Sequence, residues 1–319
     1  MDTTNPYLNK SSRDAYGMAF YDLAKKNDRI VALTADVPES VRFSKFRETW
    51  PDRFFNFGIA EQNMMGAAAG LAREGKIPFV SVYAIFAALR AIEQLRTDIA
   101  YPNLPVRICV THSGISLGPA GPSHHTIEDI SVLRSIPNMT VIAPADGTST
   151  AMALSAIQAH PGPVYMRLNR AVEPTAYQTL STYSYGKANL LRKGADLTII
   201  AFGASVGNAL LAADELEQNG IQASVLDMAF IKPIDKNAII ENGSKTGKIL
   251  TVEEQNIIGG LGSAVAEVIA ENNLKAKLKR VGIPDVFTLA GPYPDLQAHY
   301  SVDAKGIARE ALDLLNQSS

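Results

Sequence analysis

The residues best suited to chemistry in this 319-residue chain are one carboxylate, an aromatic pair and three histidines. The carboxylate is Glu61, which follows Phe54-Phe55-Asn56-Phe57-Gly58-Ile59-Ala60 and precedes Gln62-Asn63-Met64-Met65-Gly66-Ala67-Ala68-Ala69-Gly70. An acid set between an aromatic strand-like run and a helix of Ala, Gly and Met is expected where water is scarce. Desolvation disfavours its charged form unless a base or a proton-accepting ligand meets it; the plainer alternative is an exposed helix-start Glu favoured by the macrodipole. Tyr83-Ala84-Ile85-Phe86 brings two aromatics three residues apart at the exit of a strand, a pattern that taken alone reads as core packing. His112, His124 and His125 gather around a loop rich in Gly and Pro. Their spacing matches no common zinc pattern, so acid–base or hydrogen-bonding duty is expected of them rather than metal ligation.

The elements that must position these groups alternate strand and helix. Ser11 or Ser12 can cap a helix running to about Lys26, with Tyr16, Phe20 and Leu23 on one face. Ile30-Val31-Ala32-Leu33-Thr34 reads as a buried strand. Asp36 comes directly after it, where α/β folds place ligand-binding groups, although a solvated loop acid is the simpler account. Further strands are expected at residues 76–83, 106–111, 139–143 and 164–168, with helices at 86–100 and 147–158 between them. Residues 114–122 hold Gly114, Gly118, Pro119, Gly121 and Pro122, a composition that fits only a loop, and such a loop is surface filler or an active-site wall. The pattern restarts after an irregular polar stretch. It predicts two mostly parallel-sheet α/β domains, residues 1–170 and 194–319, joined by a linker and entering strand at 171–193. Gly203-Ala204-Ser205-Val206-Gly207 and Gly259-Gly260-Leu261-Gly262 each lie between a strand and a helix, but neither completes a dinucleotide fingerprint, and tight strand-to-helix turns explain both. Gly66 and Gly70 give their helix a flat face suited to close packing against another subunit.

Composition narrows the partners. Hydrophobic residues make up 46% and charged residues 19%, which is enough apolar material for a sizeable core. No apolar run is long enough to cross a bilayer. Thirty basic residues against 32 acidic ones give a formal charge of −2 without charged blocks, which favours neither nucleic acid nor a membrane surface. Cys109, the single cysteine, lies in an apolar strand-like run and reads as a buried thiol. With no basic-then-apolar leader, it points to the cytoplasm.

Gly58-Ile59-Ala60-Glu61-Gln62 resembles the acid-bearing motif of the pyrimidine-binding domain in thiamine diphosphate enzymes of the transketolase family. The resemblance implies that Glu61 hydrogen-bonds a ring nitrogen of the cofactor's aminopyrimidine, which turns the neighbouring amino group into the base that activates the cofactor. It implies that Phe86 stacks on the same ring with Tyr83 beside it, and that Asp36 lies near the cofactor. The run from Thr111-His112 to Gly121-Pro122-Ser123-His124 is similar to the family loop carrying two substrate-facing histidines, so His112 and His124 are expected at the donor's hydroxyl and carbonyl oxygens. His125 is the less suited of the neighbouring pair. Arg13, Ser40 and Arg167 fall at family positions that grip a substrate's terminal phosphate, a chemically apt set of guanidinium forks and a hydroxyl.

Two departures carry consequences. Many transketolases have an acid two residues before the loop's Pro, where it contacts a donor sugar hydroxyl, and here that position is Ala120. A methyl cannot replace the hydrogen bond, so an unusual or branched ketose phosphate is expected as donor. The family's magnesium and diphosphate site rests on a Gly-Asp-Gly motif, and Ala145-Asp146-Gly147 is the nearest approach, in the wrong place. The resemblance therefore implies the C-terminal subunit of a split transketolase, working with a separate N-terminal subunit that holds Mg2+ and the diphosphate, two of each chain in an α2β2 heterotetramer. Competing readings are the beta subunit of a 2-oxo acid dehydrogenase, a deoxyxylulose phosphate synthase-like enzyme, and a non-catalytic assembly or regulatory subunit.

Overall fold

Apolar runs bounded by turn residues become strands covered on both faces. The structure, a computed structural model, describes residues 5–316. Its first seven strands are β1 (Ile30–Thr34), β2 (Phe54–Asn56), β3 (Ile77–Ser81), β4 (Arg107–Val110), β5 (Thr140–Ile142), β6 (Val164–Arg167) and β7 (Asn189–Arg192). They are followed by β8 (Leu197–Ala201), β9 (Ala223–Asp227), β10 (Phe230–Lys232), β11 (Lys248–Asn256) and β12 (Lys277–Ile283). β1, β4, β5 and β6 are buried at every position, as parallel strands between two helical layers must be.

Two sheets result. One runs β10-β5-β6-β4-β3-β1-β2 and is parallel except where β10 joins β5 antiparallel. The other runs β12-β11-β8-β9-β7 and is parallel except at β7. β10 is a strand the sequence pattern did not reveal: it comes from the second half of the chain yet completes the first sheet, and Lys232 Nζ donates to the carbonyls of Arg134 and Ile136 beside it. A second tie is Arg167 at the end of β6. Its Nε donates to Asp129 Oδ2 at 3.0 Å, and its Nη2 donates to the carbonyls of Thr126 and Glu254, each at 2.9 Å.

The helix Ser12–Ala24 starts where Ser11 Oγ accepts from the Asp14 N–H, and it buries Tyr16 and Phe20. Phe20 meets Phe43, Phe46 and Phe79 at ring-centroid distances of 4.9, 5.1 and 5.0 Å. Each such ring is worth roughly 1.5–3 kcal/mol of burial, so this cluster fixes the loop after β1 to the sheet. Residues 86–100, expected as one helix, instead form two π-helical turns, Phe86–Arg90 and Leu95–Ala100, around Ile92–Gln94. The two glycine clusters of the second half are tight turns. Glu253 accepts from the N–H groups of Leu261 and Gly262 at 2.7 and 2.8 Å, filling the helix start with the chain's own carboxyl. A Cβ on Gly207 would lie 2.2 Å from the Pro174 carbonyl oxygen.

A Gly→Ala change inside a helix ordinarily stabilises by about 0.8–1 kcal/mol. Gly207→Ala should do the reverse, destabilising by about 1–3 kcal/mol because helix and linker must part. A lowered urea midpoint at unchanged denaturant slope is the expected reading.

Candidate active site

Strand exits converge on one end of the first sheet. Asp36 follows β1, Tyr83 follows β3, His112 follows β4 and Arg170 follows β6, so all four lie beyond carboxyl ends of parallel strands. Tyr83 and Thr111 are joined by a parallel bridge, which brings the two exits side by side. Tyr83 meets His112 at 4.1 Å with the rings tilted 42° and lies near-parallel to Phe86 at 6.1 Å, while His124 meets Phe86 edge-on at 5.6 Å. The aromatic pair and two of the histidines therefore form one cluster.

Glu61 is the first residue of the helix Glu61–Arg73, and its side chain is 2% exposed. It is buried as the sequence implied, and it has a partner that the sequence did not reveal. Arg90 Nη1 donates to both carboxylate oxygens at 2.9 Å, and the guanidinium carbon lies 4.2 Å from the centroid of the Phe86 ring. The face of Phe86 and the carboxylate of Glu61 thus hold one flat N–C–N group between them. That is the arrangement an aminopyrimidine needs, so these residues fit such a ring.

His112 is 2% exposed, and its backbone adopts φ +60°, a conformation that L side chains avoid. Asp36 and Arg42 share this feature, at φ +61° and +64°. Thr111 Oγ1 lies 2.8 Å from His112 Nδ1, and Ser123 Oγ lies 2.9 Å from His124 Nδ1. His125 faces away from this cluster: its Nδ1 meets Thr288 Oγ1 at 2.7 Å and its Nε2 donates to the Gly118 carbonyl at 3.0 Å. It ties the loop to the second domain. Ala120 is exposed in the 3₁₀ turn Gly118–Ala120.

The set expected to grip phosphate needs one correction. Arg167 is 4% exposed, and its Nε and Nη2 are taken up by Asp129, Thr126 and Glu254, so it holds the domains together and has no place in a substrate site. Arg170, three residues on, is exposed and lies close enough to Arg13 and His112 to repel both. Residues at a strand's end face its packed neighbours, whereas ligand groups lie beyond it, and that difference is the signal the sequence did offer. Arg13 Nε is buried without a hydrogen-bond partner; Asp14 Oδ1 is 3.6 Å away but accepts from Arg42 Nε at 2.6 Å. Ser40 Oγ accepts from the Tyr83 hydroxyl at 3.2 Å. Burial first, then repulsion from Arg13, Arg170, Arg42 and His124, pushes His112 down to about 3. Arg13 is lowered too, by burial and by its cationic neighbours Arg42 and Arg170. Such a cluster of guanidinium groups is short of negative charge and suits an anion.

Asp36 stands apart, exposed, with its N–H donating to Asn56 Oδ1 at 2.9 Å. Asp146 is a structural cap: its carboxylate accepts from the N–H groups of Ser149, Ala176 and Tyr177. Cys109 is fully buried, and burial pushes its thiol up to about 12.

Residues 9–174 match the family model described as transketolase, pyrimidine binding domain, and residues 186–307 match transketolase, C-terminal domain. A 6-deoxy-6-sulfo-D-fructose transketolase subunit of Clostridium sp. (strain MSTE9) is 40% identical, over 96% of this chain and 95% of its own. An apulose-4-phosphate transketolase subunit of Phocaeicola vulgatus is 39% identical, over 96% and 97%. A solved split-gene transketolase, described as an inactive beta4 tetramer, superposes with a TM-score of 0.90 at 42% identity, covering 97% of this chain and 99% of that one.

His112 binds no proton in the folded chain until pH approaches 3, whereas an unfolded His takes one near 6.5. Between these values the unfolded state holds more protons, so this group's contribution to stability is complete above pH 6.5 and is lost as pH falls towards 3. In an imidazole NMR titration from about pH 8 to about pH 5, the His112 signal should stay flat. The double variant Arg13→Ala/Arg170→Ala should move its titration upward.

Proposed function

As the chain belongs to the transketolase family, carrying its pyrimidine-binding and C-terminal domains in succession, we propose that it is the half of a two-chain transketolase that presents Glu61, Phe86, His112 and His124 to thiamine diphosphate and a ketose phosphate. One observation carries this reading: a buried carboxylate and an aromatic face together grip a flat N–C–N group, next to two histidines and a cluster of arginines.

Thiamine diphosphate, when bound, supplies the nucleophilic carbon that accepts the two-carbon unit. The chain's own residues do the rest. Glu61 shares a proton with the ring nitrogen of the aminopyrimidine, and its burial makes that hydrogen bond strong. Phe86 holds the ring by its face, with Tyr83 beside it and Asp36 at the loop nearby. His112 stays neutral, so its imidazole can accept a proton from a donor hydroxyl or give one to a carbonyl oxygen. His124, edge-on to Phe86, offers a second imidazole for hydrogen bonding to the donor's oxygens. Arg13, Ser40 and Arg170 grip the phosphate and so align donor and acceptor, a positioning effect that truncated substrates would lose.

The diphosphate and Mg2+ are assigned to a separate N-terminal subunit, and the assembly to an α2β2 heterotetramer. The word "subunit" in the relatives' names supports a partner chain, and the inactive beta4 tetramer of the split-gene transketolase supports self-association of this half. The helix Glu61–Arg73 offers a contact face, because a Cβ on Gly70 would meet nothing within 4 Å. Sugar phosphates are the substrates. Relatives named for sulfofructose and apulose phosphate agree with Ala120 in favouring an unusual or branched ketose as donor. Among the described residues no helix is long and apolar enough to cross a membrane, and a cytoplasmic site of action is proposed.

In the reconstituted enzyme, Glu61→Ala should lower two-carbon transfer by at least about 100-fold while the complex still assembles, as shown by size-exclusion chromatography. Transfer left intact would return the non-catalytic reading. Arg170→Ala should raise KM for a phosphorylated acceptor by about tenfold and leave KM for its unphosphorylated analogue unchanged; Arg167→Ala should instead lower the unfolding midpoint. A donor panel completes the test: faster turnover of branched or modified ketose phosphates than of xylulose 5-phosphate is expected. Turnover of pyruvate in their place would point to the synthase-like or dehydrogenase chemistry.

A further inference from the structure

Arg90 holds the same two partners that the proposed function gives to the cofactor's ring. Its Nη1 donates to both oxygens of Glu61 at 2.9 Å, and its guanidinium carbon lies 4.2 Å from the centre of Phe86. The position is built by the backbone. Phe86–Arg90 is a π-helical turn, a widened form that recurs at functional sites, and it lays Arg90 back over the ring four residues earlier. Exposure is sharply unequal within the pair: the Glu61 side chain is 2% exposed and the Arg90 side chain 43%. The arginine is therefore a plug with its head in the site and much of its length in water, able to withdraw without any rearrangement of the core.

A guanidinium and a 4-aminopyrimidine share the features this site reads. Both are planar, both meet the carboxyl through one nitrogen, the guanidinium by donating from Nη1 and the pyrimidine by sharing a proton at a ring nitrogen, and both stack on an aromatic face. They cannot occupy one face and one carboxylate together. We propose that Arg90 is an internal stand-in for the cofactor's aminopyrimidine. In the cofactor-free chain it keeps Glu61 from being a buried charge without a partner, and it is displaced when the ring arrives. This rests on the reading of Glu61 and Phe86 as the pyrimidine site. The apparent cofactor affinity then includes the fraction of chains in which the arginine has left, so a site closed nine-tenths of the time binds about tenfold more weakly than an open one.

The test measures thiamine diphosphate binding calorimetrically, with the chain assembled with its diphosphate-binding subunit. Arg90→Ala and Arg90→Gln should bind about tenfold more tightly than the wild type; equal or weaker binding overturns the stand-in. Arg90→Lys keeps the charge beside Glu61 without a flat face, and should fall between the two. If the variants do not fold, the wild type decides the matter through its 15N-arginine spectrum. Separate Arg90 Nη signals, locked by the carboxylate, should merge when cofactor is added, and signals that stay separate overturn the proposal. Glu61→Ala separates the two layers of inference. If it loses affinity while Arg90→Ala is unchanged, only the stand-in fails; if it binds as the wild type does, the pyrimidine reading fails and the stand-in with it.

Discussion

A carboxylate with 2% of its surface in water, at the first residue of a helix, has to be met by something. The helix dipole helps, but it is worth only about 0.3–1 kcal/mol at most sites, well short of what removing a charge from water costs. Glu61 consequently needs a partner at every stage of the protein's life, and the partner must be flat because the ring of Phe86 lies alongside. This requirement shapes its surroundings. The helix behind it buries only Met64, Met65, Ala68, Ala69 and Ala72 beside Glu61, and the later π-turn supplies the guanidinium.

The second domain contributes to the same site without touching it. The loop carrying His124 is clamped from behind: a Cβ on Gly118 would lie 2.7 Å from the Gly291 carbonyl, and one on Gly114 would lie 2.8 Å from the Glu254 carboxylate. Both glycines have positive φ, so only glycine satisfies the backbone and the close approach together. His125 and Arg167 complete the clamp with side-chain hydrogen bonds to Thr288 and to the Glu254 carbonyl. A loop of this composition, free at both faces, would be mobile. Held in this way it becomes a wall that sets His124 edge-on to Phe86.

Much of this was legible in the sequence because the period of the apolar residues and the motif around Glu61 are local properties. The strands from β1 to β6, the Ser11 cap and the burial of Glu61 follow from them. What escaped depends on distant partners. β10 is three residues long and gains its place only by pairing with β5, some ninety residues earlier. Arg90 in the sequence is one more basic residue on a helix, and its approach to Glu61, twenty-nine residues earlier, is set by the fold. Arg167 and Arg170 differ by three positions, and although the strand's end was legible, the buried partners Asp129, Thr126 and Glu254 that occupy Arg167 were not. Arg107 escaped for the same reason: it lies in a buried strand, yet its donors reach the carbonyls of Ile157, Gln158, His160 and Gly162, which end the helix Gly147–Ile157.

The electrostatics divide the site into two ends with opposite needs. At the Glu61 end a buried carboxyl is met by the planar guanidinium of Arg90, while at the other end Arg13, Arg42 and Arg170 surround a histidine and only Asp14 among the contacts described answers them. Under the proposed function, a substrate with a phosphate on one end and a carbonyl on the other matches this layout in one orientation, with the phosphate at the arginines and the reacting carbon towards Phe86. On the proposed reading an anion at the arginines also supplies negative charge close to His112, which offsets the part of its lowering that comes from repulsion, the larger part coming from burial. The arrival of the phosphate therefore brings His112 nearer to the range in which it can exchange protons, and the substrate's inert end helps prepare the residue that serves its reactive one.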